Sequence, residues 1–274
     1  FNIGTFESAR LKALQSRILS LMNFGKLYPG LFTEVKGIVL RNEPCSQNNK
    51  IICCSGTERY GKDQSSFMRN PKSILNFSCC EDESRVIDHL LSTKHETLKG
   101  KARFGLGIVT GNNKKYCSPE MLDGYIPVHK GSDIKKSHLP PPSTYIPADL
   151  SLYQQAAPLE LYQAQEKLIY KFISSDLVFF HDTCQRFILN SANMLVLDES
   201  FPLTHSQLCF FLNTKLMSWL FKKLFNTHKV LRSDIETLPI YVDYFEYYQK
   251  FSEPLLLDYL GIEEVDDGTY RIKE

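Results

Sequence analysis

The sequence predicts a mixed α/β protein of the α+β class, and three observations carry that expectation. Short apolar runs bounded by Gly, Pro, Asn or polar clusters recur through the body of the chain, which is how strands read. Helical periodicity appears at the start and again towards the end. The chain has 274 residues, 43% hydrophobic and 23% charged, enough for one large domain or two smaller ones with a buried core.

Taken in order, residues 6–20 read as a helix, with Phe6, Leu11, Leu14, Ile18 and Leu21 at helical spacing. Tyr28-Pro29-Gly30 signals a turn. Val35 to Leu40 and Ile51 to Cys54 read as strands, Lys72 to Phe77 as a third, and Ser55 to Arg69 between them as a polar stretch. Glu81 to Leu91 has the pattern of a short amphipathic helix, and the polar stretch Thr97 to Lys101 marks a candidate domain boundary. Phe104 to Asn113 reads as a strand entering a glycine loop. Gly124 to Val128 follows as a short strand, then Pro140-Pro141-Pro142 favours extended chain. Further strands are expected at Lys167 to Ile173, Leu177 to Phe180, Phe187 to Leu189 and Ala192 to Leu197. Leu203 to Phe225 is the strongest helix, with Thr204 and Gln207 at capping-box spacing. Ser233 to Thr237 reads as a helical turn, and Tyr244 to Leu260 as a terminal helix with Pro254 as its candidate break.

Lys and Arg number 32 against 31 Asp and Glu, a net charge of +1. That excludes attachment to nucleic acid by bulk charge and leaves room for a local basic face. No apolar run approaches the roughly 18 residues of a membrane span; Leu208 to Leu220 is interrupted by Asn213, Thr214 and Lys215. No basic stretch precedes an apolar one in the manner of a signal peptide, and the start at Phe1 rather than Met reads as a fragment. The eight cysteines include the adjacent pairs Cys53-Cys54 and Cys79-Cys80. Zinc sites space their paired cysteines by two to four residues, so both pairs read as small side chains within strands. Reduced thiols and a cytoplasmic protein are expected.

Catalytic signatures are scarce. The seven histidines form no close metal pair, and His181-Asp182 reads as a polar strand edge. There is no GxSxG elbow, Walker A loop or HExxH. Gly105-x-Gly107-x-x-x-Gly111 misses the dinucleotide spacing, and no helical period follows it. Asn70-Pro71-Lys72 lacks the second proline and the aromatic of the Asn-Pro-Pro-aromatic motif that methylates adenine. What remains is a set of polar loops: Thr110 to Lys115, Lys130 to Asp133, and Asn226 to Ser233. Glycine admits close approach, Asn reads adenine edges and Lys contacts guanine or phosphate, so these loops suit DNA; solvated turns are the other reading.

Several of these stretches together resemble one family. Gly107-Ile-Val-Thr-Gly-Asn-Asn-Lys-Lys-Tyr116 followed by Gly124-Tyr-Ile-Pro-Val-His-Lys-Gly-Ser-Asp-Ile134 is similar to the target recognition domain of TaqI-like and type IIG restriction-modification enzymes. Later landmarks follow in order: Glu166 to Lys171 with Leu177 to Phe180, Leu189 to Asn193, Phe211 to Leu216, and Val230 to Ile240. Phe24 to Thr33 and Val35 to Arg41 resemble the last strands of an adenine-specific DNA methyltransferase domain.

The resemblance implies residues 1–96 as the C-terminal part of a methyltransferase-like domain, the tail of its sheet. It implies residues 97–274 as a mixed-sheet recognition domain ending in helices. It implies double-stranded DNA and the upstream methyltransferase domain as partners, no membrane, and no cofactor in this chain, with S-adenosylmethionine serving the full-length parent. The chain by itself is expected to be non-catalytic, its parent a site-specific adenine methyltransferase, with or without a fused nuclease. The DNA contacts implied are Thr110, Asn112, Asn113, Lys114 and Lys115, then Lys130, Ser132, Lys229 and Arg232. The alternatives are a protein-interaction or scaffold subunit and a small complete enzyme.

Overall fold

A computed structural model describes residues 4–30, 34–266 and 268–273. They form two compact units. The first holds the described residues up to His95, Trp219–Asn226, and those from Lys250 onward; the second holds Glu96–Ser218 and Thr227–Gln249. The elements are of mixed α+β type, as the sequence predicts.

In the first unit, α1 (Glu7–Gln15) leads into β1 (Ser16–Gly25), followed by β2 (Val35–Pro44), β3 (Lys50–Ser55) and β4 (Glu58–Asp63). The sheet order is β2-β1-β3-β4, with β1 antiparallel to β2 and parallel to β3. The helix expected over 6–20 therefore ends early, and the cause is a buried amide. Gln64 Nε2 donates to the carbonyls of Leu14 and Ser16, both at 2.7 Å, while its Oε1 accepts from Ile18 N at 2.9 Å. Those are the backbone groups a continuing helix would pair internally. Leu21 then pairs opposite Ile38 on one side and Cys53 on the other.

The strand expected at 72–77 is absent. Pro71–Ser73 forms a 3-10 turn, with Lys72 and Ser73 at φ 55° and 52°. The fully buried Arg10 guanidinium holds it by donating to the Lys72 carbonyl at 2.8 and 3.1 Å. Only one cysteine pair lies in a strand: Cys53 is buried and Cys54 half-buried, as alternation dictates, whereas Cys80 is the N-cap of α2 (Glu81–Ser92). The polar stretch 55–69 hides β4, a hairpin partner of β3 turned at Gly56 with φ 60°. The segment Ile262–Glu264 pairs with Tyr270–Ile272 as a hairpin that the sequence pattern did not announce.

The second unit contains β5 (Ala102–Leu106), α3 (Asn113–Tyr116), β6 (Tyr125–His129), β7 (Thr144–Pro147), α4 (Leu159–Tyr162), β8 (Lys167–Lys171), β9 (Phe179–Asp182), β10 (Phe187–Ile188) and β11 (Ala192–Leu197). These make a three-stranded sheet, β10-β6-β7, and a four-stranded sheet, β5-β11-β8-β9. One core joins them: Val128, Ile146 and Ile188 from the first pack with Ile169, Met194 and Val196 from the second.

The long helix expected at 203–225 is two helices, α5 (His205–Leu212) and α6 (Lys215–Phe225). Asn213 breaks it by pairing like a strand residue: Nδ2 donates to Phe179 O and Oδ1 accepts from Phe179 N, both at 2.9 Å. Thr214 Oγ1 then accepts from Met217 N at 3.3 Å. The capping box of Thr204 and Gln207 is present at the start of α5. After α7 (Arg232–Ile235), the expected terminal helix is likewise divided into α8 (Val242–Tyr247) and α9 (Glu253–Tyr259). None of these helices is long and apolar enough to cross a membrane among the described residues.

His181-Asp182 is not a polar edge throughout. His181 is half-buried and pairs with Glu166 at 3.0 Å, but Asp182 is fully buried. The Lys167 ammonium lies 2.7 Å from one Asp182 oxygen and Arg186 Nη1 2.6 Å from the other; the N–H groups of Cys184 and Arg186 also donate to the carboxylate. Burial pushes the Asp182 carboxyl up, but the Lys167 and Arg186 partners outweigh it and hold it below the ordinary carboxylate range. The cluster fixes the 182–188 segment that leads into β10. Asp182→Ala leaves Lys167 buried without its counter-charge and is expected to cost about 3–5 kcal/mol in urea unfolding; a loss below about 1 kcal/mol would show the pair to be dispensable.

Candidate nucleic-acid interface

The predicted loops meet at one turn, Leu189 to Ala192, closed by Ala192 N donating to Leu189 O at 2.8 Å. Several peptide groups of this turn are engaged with other strand ends. Ile108 N donates to Ile188 O and Asn190 N to Ile108 O, tying in the 107–115 loop. Leu189 N donates to His129 O, and Gly131 N to Ser191 Oγ at 2.8 Å, tying in the 130–133 loop. Phe172 N donates to Ser191 O, while Val230 N donates to Phe172 O and Ser174 N to His228 O, bringing in the third loop.

Two glycines permit this convergence. A Cβ on Gly107 would lie 2.2 Å from Leu189 O, and one on Gly131 2.2 Å from Ser191 O. Within the Gly105–Gly111 pattern, Gly107 thus serves contact with the protein's own backbone and leaves no gap for a phosphate or nucleoside, while Gly105 and Gly111 face side chains.

The predicted contact residues fall into distinct positions. Asn112, Asn113, Lys114 and Lys115 are exposed, as are Lys130, Ser132 and Lys229. Asn112 caps α3, its Oδ1 accepting from Lys115 N at 3.1 Å. Lys115 Nζ lies 4.7 Å from the Tyr116 ring centroid and bonds the Tyr116 hydroxyl at 3.1 Å. Lys130 N donates to Asp133 at 2.7 Å, which fixes that loop and leaves the Lys130 side chain outward. Lys229 bridges Ile173, an exposed residue at 64%.

Two predicted residues are placed differently from a direct contact. Thr110 is buried at 4% exposure, and its hydroxyl donates to Asn113 Oδ1 at 2.5 Å. It shapes the loop from within. Arg232 is exposed but engaged, with Nε 2.8 Å from Glu236 and its guanidinium 5.3 Å over the Phe104 ring. Sequence reasoning missed Asn190, Ser191 and Ile173, because the turn reads as the end of a strand; the Asn-Ser pair before Ala192 was the available signal.

A separate cleft of this unit is lined by Glu160, Glu166, Asp198 and Glu199, with Arg103 and His205. Its acidic lining opposes phosphate. His205 Nε2 accepts from Leu197 N at 3.0 Å, so the ring is neutral with its proton on Nδ1. No group of three or more His, Cys, Asp and Glu suited to a metal occurs among the described residues.

Residues 126–240, which include the 130–133 loop, the turn and the third loop, match the family model of the TaqI-like C-terminal specificity domain. The chain is also 52% identical over 136 residues to the Type II methyltransferase M.VspI of Vibrio sp. (strain 343), covering 50% of this chain and 33% of that protein. The chain thus spans a third of the curated relative it matches. A solved structure, that of the Type IIL restriction-modification enzyme MmeI in complex with DNA, aligns over 87% of this chain and 36% of its own, with a TM-score of 0.41 and 10% identity.

Two outcomes follow for the second unit. Gly107→Ala and Gly131→Ala drive a methyl into a backbone carbonyl that cannot move aside, and each is expected to cost about 1–3 kcal/mol. Gly61→Ala meets open space and is expected to stay within about 0.5 kcal/mol. Equal, near-zero effects in thermal unfolding would contradict the close packing.

The second outcome concerns pH. His129 is 3% exposed, and burial lowers its pKa more strongly than Asp133 raises it; burial likewise lowers that of His205. Between those lowered values and the ordinary 6.5, the unfolded chain binds more protons. Stability is therefore fully present above about pH 6.5 and declines as pH falls through the folded-state values. His129→Leu is expected to flatten that decline, measured as urea midpoints from pH 7.5 to 5; an unchanged slope would contradict a neutral buried His129.

Proposed function

We propose that this chain recognises a DNA sequence as the specificity portion of a restriction-modification enzyme whose upstream half methylates adenine within the target. One observation carries the reading: loops bearing exposed Asn, Ser and Lys side chains are drawn onto a single backbone turn within the matched specificity domain. Rigid backbone under adaptable polar side chains is what groove reading needs, because lysines on phosphates set the register and amides and hydroxyls read base edges.

In this reading Lys114, Lys115, Lys130 and Lys229 contact phosphates, and Asn112, Asn113 and Ser132 approach the groove. Thr110 holds Asn113, and Arg232 flanks the site through Phe104. Residues 1–96 are the C-terminal part of the adenine-specific methyltransferase domain, and residues 97–274 are the recognition domain. The parent's methyl donor is S-adenosylmethionine, held by residues outside this chain. Gly107, packed against Leu189 O, offers no glycine cradle for that cofactor. A scaffold role explains neither the specificity-domain match nor the gathering of lysines at these loops.

Selection of a random duplex pool by the full-length protein, at low and near-physiological salt, tests the proposal. Enrichment of one short adenine-containing motif is expected. Lys114→Ala is expected to weaken binding evenly across sequences and to reduce the slope of log K against log salt by about 1. Absence of salt-sensitive DNA binding by the full-length protein would overturn the reading.

A further inference from the structure

We propose that Asn190 is a specificity-determining residue of this interface, reading adenine through a bidentate contact of its side-chain amide. The inference rests on the DNA-recognition reading above and names where one base is read.

Asn190 is exposed at the tip of the turn onto which the loops converge. Its own N–H donates to Ile108 O at 3.0 Å, and the residues on either side are tied to His129, Gly131 and Phe172. Its backbone is therefore fixed while its side chain stays outward.

The two usual reasons for Asn in a turn do not apply. Its φ is not among the positive values, which fall elsewhere, at Gln185 for instance. Its side chain caps no backbone group. The other asparagines of this unit all have structural partners: Asn112 caps α3, Asn113 accepts from Thr110, Asn193 bonds Tyr170, and Asn213 pairs with Phe179. Among the described residues, the Asn190 amide has no protein partner, so its carbonyl and NH2 are both available at once. That combination matches the N6 donor and N7 acceptor of adenine in the major groove. The flanking loops supply Lys114, Lys115 and Lys130, cations suited to the phosphates on either side.

The test is duplex-pool selection with the full-length protein as wild type, Asn190→Ala and Asn190→Asp. The alanine variant is expected to select the wild-type motif with preference at one A·T position reduced at least about fivefold. The aspartate variant keeps only acceptors, which suit the exocyclic amine of cytosine, so C·G is expected to replace A·T at that position alone. Retained preference at the remaining positions shows in the same experiment that each variant is folded. If both variants select the wild-type motif unchanged, Asn190 reads nothing and the inference falls while the DNA reading stands. Uniform weakening without change of preference likewise overturns it, marking a general contact. If the wild type enriches no motif, the DNA reading fails and this inference with it.

Discussion

The close approach of Gly107 and Gly131 to the carbonyls of the Leu189–Ala192 turn is the constraint on which the second unit depends. A β-carbon at either site would lie 2.2 Å from a carbonyl oxygen, so each position admits only glycine without backbone movement. Once the glycines are in place, the turn can accept hydrogen bonds from several strand ends at once. A loop presenting lysine and asparagine to water is entropically costly to hold still. Here backbone bonds beneath the loops supply that order, and the side chains above them stay exposed. The buried Lys167–Asp182 pair, joined by the half-buried Arg186, sets the segment that enters the same turn from the other side.

This division separates support from recognition. The support is apolar or internally paired: Ile108, Leu189, Thr110 and Gly131. The exposed layer is Asn112 to Lys115, Lys130, Ser132, Asn190 and Lys229, of which Asn112 and Asn113 also brace the loop through α3 and Thr110. Net charge of +1 over the whole chain is compatible with this, since the cations gather at loop ends while carboxylates line the cleft around Glu166 and Asp198.

Much of the fold was legible because strand signals are local. The strands at Val35, Ile51, Lys167 and Ala192, the helix at Glu81 and the capping box at Thr204 all appear where apolar runs and caps indicate. The misses have a common cause, a side chain from distant sequence competing for backbone groups. Gln64 ends α1, Arg10 holds the turn at Lys72, and Asn213 pairs with Phe179 and divides the long helix. A single sequence gives no sign of such partners. The site was legible as three polar loops, and their order matched a family pattern. That they share one turn was not legible, because Asn190 and Ser191 are short, polar and unremarkable until Gly107 and Gly131 are seen against them.

The most direct measurement is residue-resolved amide hydrogen exchange across the turn and the loops it gathers. A rigid joint predicts that the N–H groups of Ile108, Leu189, Asn190 and Gly131 exchange only through large-scale opening, with protection approaching that of the β8 and β11 strands, while Asn113 and Lys114 exchange quickly. If Asn190 and Gly131 exchange as fast as Lys114, the turn is as loose as the loops. The account of a fixed base-reading surface would then be contradicted.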